Sequence, residues 1–172
     1  MDHYLKIGKL VASFGFKGDM ILLHGLGKKT SLKGLEKFFI EESKGSFIPY
    51  FPENSSAKSE TETIIKIEGI NSKESTRLLL QKEIWLTAAD FEKFGSASSP
   101  ISFLGYSIYE GKSFIGEIIE LIEQPHQLLC KVIYQGKEAL IPLHEESLIE
   151  IDKKKKMIFV QLPDGLLDIY LQ

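Results

Sequence analysis

Ile7-Gly8-Lys9-Leu10-Val11-Ala12-Ser13-Phe14-Gly15-Phe16-Lys17-Gly18-Asp19-Met20-Ile21-Leu22-Leu23 is the stretch that sets the fold class. Two short apolar runs, Ile7 to Ala12 and Met20 to Leu23, flank a glycine-bounded segment. Runs of this length between turn residues read as strands, and glycine supplies the left-handed backbone that a tight turn requires. Gly8, Gly15 and Gly18 are therefore assigned to a structural turn. Their spacing does not match a dinucleotide-binding fingerprint, and no Gly-Lys-Ser/Thr follows to form a phosphate loop. In this reading Phe16 and Lys17 project from the tip of the turn.

The same texture continues along the chain. Phe38 to Glu41, Phe47 to Phe51, Thr63 to Ile67 and Ile84 to Leu86 are further strand candidates. Asn71-Ser72-Lys73-Glu74 has the form of a helix start, an Asn cap with Glu three places on, and predicts a helix of two to three turns through Gln81. Thr87 and Asp90 share that spacing and predict a single capped helical turn. Glu53 to Glu62 is polar and aperiodic, a mobile hairpin loop by composition. Gly95-Ser96-Ala97-Ser98-Ser99-Pro100 has the composition of a flexible linker and marks a domain boundary. Beyond it, strands are expected at Ser107 to Tyr109, Phe114 to Ile122, Leu128 to Tyr134, Glu138 to Ile141, Leu148 to Ile151 and Met157 to Leu162. These three hairpins have no helix signal between them and describe a small closed or half-closed barrel.

The 172 residues are 43% hydrophobic, enough to bury a core and too much for a disordered chain. No apolar run approaches the ~20 residues of a bilayer-spanning helix. The start, Met1-Asp2-His3-Tyr4-Leu5-Lys6, lacks the basic-then-apolar order of a secretory signal. The single cysteine, Cys130, cannot form an internal disulfide. Together these features point to a reducing cytoplasm. The net charge of −3 is unevenly spread. The first 40 residues hold seven lysines against Asp2, Asp19 and Glu36, whereas residues 96–172 hold 7 basic and 11 acidic groups. A basic front fits a phosphate-bearing partner and an acidic back fits a basic one. Arg77 is the only arginine, so base-specific readout through planar bidentate contacts is not indicated.

No catalytic constellation emerges. The histidines His3, His24, His126 and His144 are not spaced as metal ligands, and His144-Glu145-Glu146 is followed by Ser147-Leu148 rather than a second histidine. No serine sits in a nucleophile elbow. Glu117, Glu120 and Glu123 lie on strand or turn and form no acid–base pair. Cys130 reads as a small core residue. Lys153 to Lys156 reads as a solvated hairpin tip, with RNA-backbone contact as the alternative. No cofactor or metal is called for, and a binding protein is favoured over an enzyme.

The order of these pieces resembles the RimM family of bacterial ribosome maturation factors. Ile7-Gly8-Lys9-Leu10-Val11 through Gly15-Phe16-Lys17-Gly18-Asp19 is similar to the family's opening strand and turn. Ile67-Glu68-Gly69-Ile70-Asn71 through Ile84-Trp85 is similar to its Glu-Gly-Val-Asp helix start and following strand. Leu104-Gly105, Ile115-Gly116-Glu117-Ile118, Leu140-Ile141-Pro142-Leu143, Ile149-Glu150-Ile151-Asp152 and Leu162-Pro163-Asp164-Gly165-Leu166-Leu167-Asp168 are similar to a PRC-barrel domain. Where the family often carries an aromatic pair and a Trp before the second barrel, this chain has Ser98-Ser99-Pro100-Ile101, with Phe103 and Tyr106 nearby.

The resemblance implies a mainly β protein: a six-stranded barrel with one short helix over residues 1–94, a linker over 95–100 and a PRC barrel over 101–172. It implies a monomeric, non-catalytic factor in the cytoplasm, without cofactor or membrane attachment. Such a factor binds a protein of the small-subunit head and the immature small subunit, and supports maturation of the 3′ domain of its rRNA. Lys9, Phe16, Lys17, Lys28 and Lys29 are the expected RNA-facing residues. Phe103, Leu104, Pro142, Leu143, Leu166 and Leu167 are the expected protein-facing ones. The competing functional class is a PRC-barrel adaptor or small-ligand-binding protein with no ribosomal role.

Overall fold

A computed structural model describes residues 3–172. The chain divides into two compact units, one ending at Ser102 and the other comprising Phe103–Gln172. Each buries its own apolar cluster.

In the first unit β1 (Tyr4–Phe14), β2 (Asp19–His24), β3 (Phe38–Ser43), β4 (Ser46–Tyr50), β5 (Pro52–Ala57), β6 (Glu62–Ile67) and β7 (Glu83–Thr87) form one sheet in the order β4-β3-β7-β1-β2-β6-β5. Strands β4 and β5 are its opposite edges, yet Phe51 alone separates them in sequence. One residue spans only ~3.5 Å. The sheet therefore curls until its edges meet, which makes a barrel. Alternation does the rest: Met20, Leu22 and His24 on β2, Thr63, Ile65 and Ile67 on β6, and Ile84 and Leu86 on β7 all point inward and are buried.

Several sequence expectations change here. The barrel has seven strands, not six, because most of the polar stretch 53–62 is ordered as β5 against β6. Backbone pairing with an existing edge outweighs the low strand propensity of Asn54, Ser55 and Ser56. Only the segment around Ser59 remains a turn. The helix expected to run through Gln81 is a single 3-10 turn, Ser75–Leu78. No side chain caps it. Instead Ser72 and Ser75 bond each other, and the Thr76 hydroxyl donates to the Lys73 carbonyl at 2.5 Å. Gln81 takes a positive φ and donates its N–H to the Leu10 carbonyl at 2.6 Å, which ends any helix and starts β7. Gly8 is not in the turn with Gly15 and Gly18. It lies inside β1, at a bulge opposite β7.

The Thr87 hydroxyl does accept from the Asp90 N–H, at 3.2 Å, and caps α1 (Ala88–Phe94), a longer helix than the one turn expected. It sends Phe91 and Phe94 into the first core. The stretch 95–100 does not behave as its composition implies. Ser96 N donates to the Leu26 carbonyl at 2.7 Å, and the fully buried Ser99 donates its hydroxyl to the Gly25 carbonyl. Serine is flexible where its hydroxyl meets water; here it replaces backbone partners inside the first unit.

The second unit contains β8 (Ser107–Glu110), β9 (Ser113–Glu117), β10 (Glu120–Gln124), β11 (Gln127–Tyr134), β12 (Lys137–Leu143), β13 (Leu148–Asp152), β14 (Met157–Val160) and a short helix α2 (Leu166–Ile169). They make two sheets, β10-β11-β12 and β13-β14-β8-β9, closed over one core. The run 114–122 is two strands rather than one. Ile118 turns into the core and donates its N–H to the Tyr106 carbonyl, while Ile119 N donates to Lys131 O, so the chain changes sheets between them. Gly116 permits this crossing: a Cβ there would stand 2.8 Å from the Val132 Cβ. Gln135 and Gly136 both have positive φ, the backbone of a type I′ hairpin. The structure is mainly β throughout, and none of its helices is long and apolar enough to cross a membrane.

Candidate functional site

The five expected RNA-facing residues do not converge. Phe16 and Lys17 sit on the turn after β1, and Lys28 and Lys29 on the loop after β2. These are opposite ends of β2, roughly 17 Å apart at the strand rise of ~3.3 Å per residue. Lys9 lies between them on β1, opposite Leu23. All four lysines are exposed. The loop of Lys28 and Lys29 also exposes Lys33 and Lys37, and is pinned by the buried Leu26, Leu32 and Leu35.

The turn carrying Phe16 is held rigidly. Gly15 and Gly18 have positive φ, and a Cβ on Gly18 would stand 2.1 Å from the Ile70 carbonyl oxygen. The Phe16 carbonyl accepts from Lys73 N at 3.2 Å, and the Lys73 ammonium lies 5.7 Å from the Phe16 ring centroid. From behind, the Lys66 ammonium donates to Asn71 Oδ1 at 2.8 Å and also to the Ile70 carbonyl. Phe16 is 81% exposed, and Leu78 on the following 3-10 turn is 83% exposed. Sequence reading did not single out Lys73, Arg77 or Leu78, because it placed them in a helix without assigning which face it buries. The structure buries Leu79 and exposes Leu78.

The six expected protein-facing residues mostly serve the second core. Leu143 is buried in it, and Phe103, Leu104, Leu166 and Leu167 pack against it from partly buried positions. Pro142 is half-buried on β12, opposite Leu129. Only Leu167 also faces an open groove, of about 710 Å³, with Phe114, Ile115, Ile133, Tyr134 and Glu110. Phe114 is 56% exposed and Ile133 47%. The signal for Ile133 was present: Cys130 and Val132 alternate inward, which leaves an apolar side chain facing out one residue later. Phe114 and Ile133 thus face one concavity from neighbouring strands. Glu110 forms no ion pair among the described residues, and would meet a cation at the rim.

A second cavity, about 650 Å³, is polar and brings His126 and His144 together with Glu145 and Glu146. The His144 Nδ1 accepts from Glu146 N at 3.1 Å. Among the described residues no group of three or more His, Cys, Asp or Glu side chains is arranged to hold a metal ion. Cys130 lies in the core, where burial pushes its thiol up to about 12. Burial also lowers the pKa of His24, whose Nδ1 accepts from Leu26 N while its Nε2 has no partner among the described residues.

The RimM N-terminal domain family matches residues 5–91, and the RimM PRC barrel domain family matches residues 100–166. A ribosome maturation factor RimM of Parabacteroides distasonis is 30% identical over 171 residues, covering 98% of each chain. Its namesake in Azobacteroides pseudotrichonymphae is 32% identical, covering 96% of this chain and 98% of its own. A crystal structure of a 16S ribosomal RNA processing protein RimM from Pseudomonas aeruginosa superposes with a TM-score of 0.42 at 17% identity, covering 94% of this chain and 98% of that one.

Proposed function

The chain belongs to the RimM family of ribosome maturation factors, and from that premise we propose that it is a non-catalytic assembly factor of the small ribosomal subunit. In this reading it acts in the cytoplasm as a monomer. The second unit binds a basic protein of the subunit's head. The first unit contacts rRNA through its exposed lysines, and the complex supports maturation of the rRNA 3′ domain. The work is done by binding: a contact is held in productive form and released when the mature contacts replace it.

The observation that carries the reading is the groove of Phe114 and Ile133 on the acidic second half of the chain. A basic partner with one apolar side chain fits it. The apolar group fills the concavity and gives affinity, while Glu110 at its rim and the net negative charge of the second half speed encounter and exclude acidic competitors.

The test is capture from bacterial lysate by the full chain and by a Phe114→Ser/Ile133→Ser variant, with captured proteins identified by mass spectrometry. The expected result is immature small subunits and a small-subunit head protein with the native chain, and loss of the head protein with the variant. Equal capture by both would overturn the groove as the contact. Absence of ribosomal components from the native chain, in low salt at high bait concentration, would overturn the ribosomal role.

A further inference from the structure

We propose that the Phe16 turn is a stacking platform for an unpaired RNA base, with Lys17, Lys73 and Arg77 supplying the phosphate contacts; this rests on the RNA-facing part of the function proposed above. An isolated aromatic ring 81% exposed on a turn is unfavourable in water. The backbone that presents it is pinned. Gly18 is pressed on the Ile70 carbonyl, and the Phe16 carbonyl is bonded to Lys73. A ring presented from a pinned backbone binds with less loss of conformational freedom than one on a mobile loop.

The charges around it select the occupant. From Lys73 the chain runs through the 3-10 turn bearing Arg77 and Leu78, and then returns to β1 where Gln81 N meets Leu10 O. This end of the barrel therefore carries Lys17, Lys73, Arg77 and Lys82 beside Phe14, Phe16 and Leu78. Its carboxylates are Asp19, Glu53, Glu68, Glu74 and Glu83; Lys66 lies 3.6 Å from Glu53 and Lys6 lies 3.2 Å from Glu83. The Lys73 ammonium, 5.7 Å from the Phe16 ring centroid, puts a cation beside the exposed ring. Aromatic rings beside cations bind single strands, because every base has a face to stack and a loop or end leaves that face free. A duplex keeps its bases stacked on each other and offers the ring nothing.

The test is fluorescence anisotropy at about 50 mM salt with the full chain, using labelled octauridine RNA and an eight-base-pair RNA duplex as probes. Native protein is expected to bind octauridine more tightly than the duplex. Phe16→Ala is expected to weaken octauridine binding about tenfold or more, and Phe16→Trp to retain it. Lys73→Gln is expected to weaken binding and to flatten its salt dependence by nearly one phosphate contact. Thermal melts of each variant separate these effects from misfolding. A Phe16→Ala variant within twofold of native, or a duplex bound as tightly as octauridine, would overturn the platform. So would head-protein capture that depends on Phe16. Loss of the platform with continued capture of immature subunits would leave the assembly role standing.

Discussion

The backbone of Gly8 lies so close to that of Leu23 that a Cβ on Gly8 would stand 1.9 Å from the Leu23 carbonyl oxygen. The contact sits where β1 bulges between its two neighbours, β2 and β7. A side chain here must push two paired strands apart, and neither can yield without losing ladder hydrogen bonds. Gly8→Ala is expected to destabilise the first unit by roughly 3 kcal/mol, the upper range for overpacking. Urea unfolding monitored by Trp85 fluorescence measures it. A loss under about 0.5 kcal/mol would show that the crossing has slack.

His24 gives the first unit a pH dependence. Its ring is buried neutral, since Nδ1 accepts a hydrogen bond and burial lowers its pKa below the ordinary 6.5. The unfolded chain takes up a proton as pH falls through about 6.5, and the folded ring resists until lower pH. Its contribution is therefore full above that pH and declines below it. The melting temperature is expected to fall between pH 7 and pH 5.5, and less steeply in His24→Gln. Parallel slopes for the two proteins would assign the fall to other groups.

Ser99→Ala tests the docking of residues 96–102. The substitution orphans the Gly25 carbonyl and removes the acceptor for Ile101 N. An unmet buried partner costs on the order of 1–2 kcal/mol. Hydrogen exchange at the Ser96 and Ile101 amides is expected to accelerate by at least tenfold, with the second unit's amides unchanged. Native-like protection at Ser96 would mean the segment is held without Ser99.

The Cys130 thiol reports on opening of the second unit. Its side chain is fully enclosed, and burial holds it protonated up to about pH 12. The thiolate is the reactive form. Labelling by an aromatic disulfide reagent at pH 8 is therefore expected to track denaturant concentration along the unfolding curve of the second unit. Rapid labelling of the native protein would place the thiol nearer the surface than its strand position allows.

How far the sequence could be read depended on what each inference needed. Strand positions were legible where alternation was clean, as in Met20-Ile21-Leu22, because burial of one sheet face is a period-two signal. The N-cap at Thr87 was legible because a cap is a contact three residues away. What failed needed partners far along the chain. Polar β5 exists because β6 offers it an edge. The helix through Gln81 fails because Leu10, some seventy positions earlier, claims the Gln81 N–H. Ser96 and Ser99 look like linker until Gly25 and Leu26 are placed beside them. The same rule governs the candidate sites. Phe16 and Lys17 share a turn and were found together, whereas Phe114 and Ile133 face one groove from strands on different sheets.

Strands β8 and β14 are neighbours and run parallel, Ile108 opposite Ile158. One opens the second unit and the other is its last strand. The sheet built on that pair cannot assemble while a ribosome is still making β14, so the PRC barrel acquires its shape only after nearly all of it has left the exit tunnel. The first barrel completes its own pairing, β1 with β7, earlier in translation. A nascent copy thus finishes the Phe16 end of its first barrel well before the Phe114 groove of its second, and the surfaces proposed for RNA and for protein mature in that order.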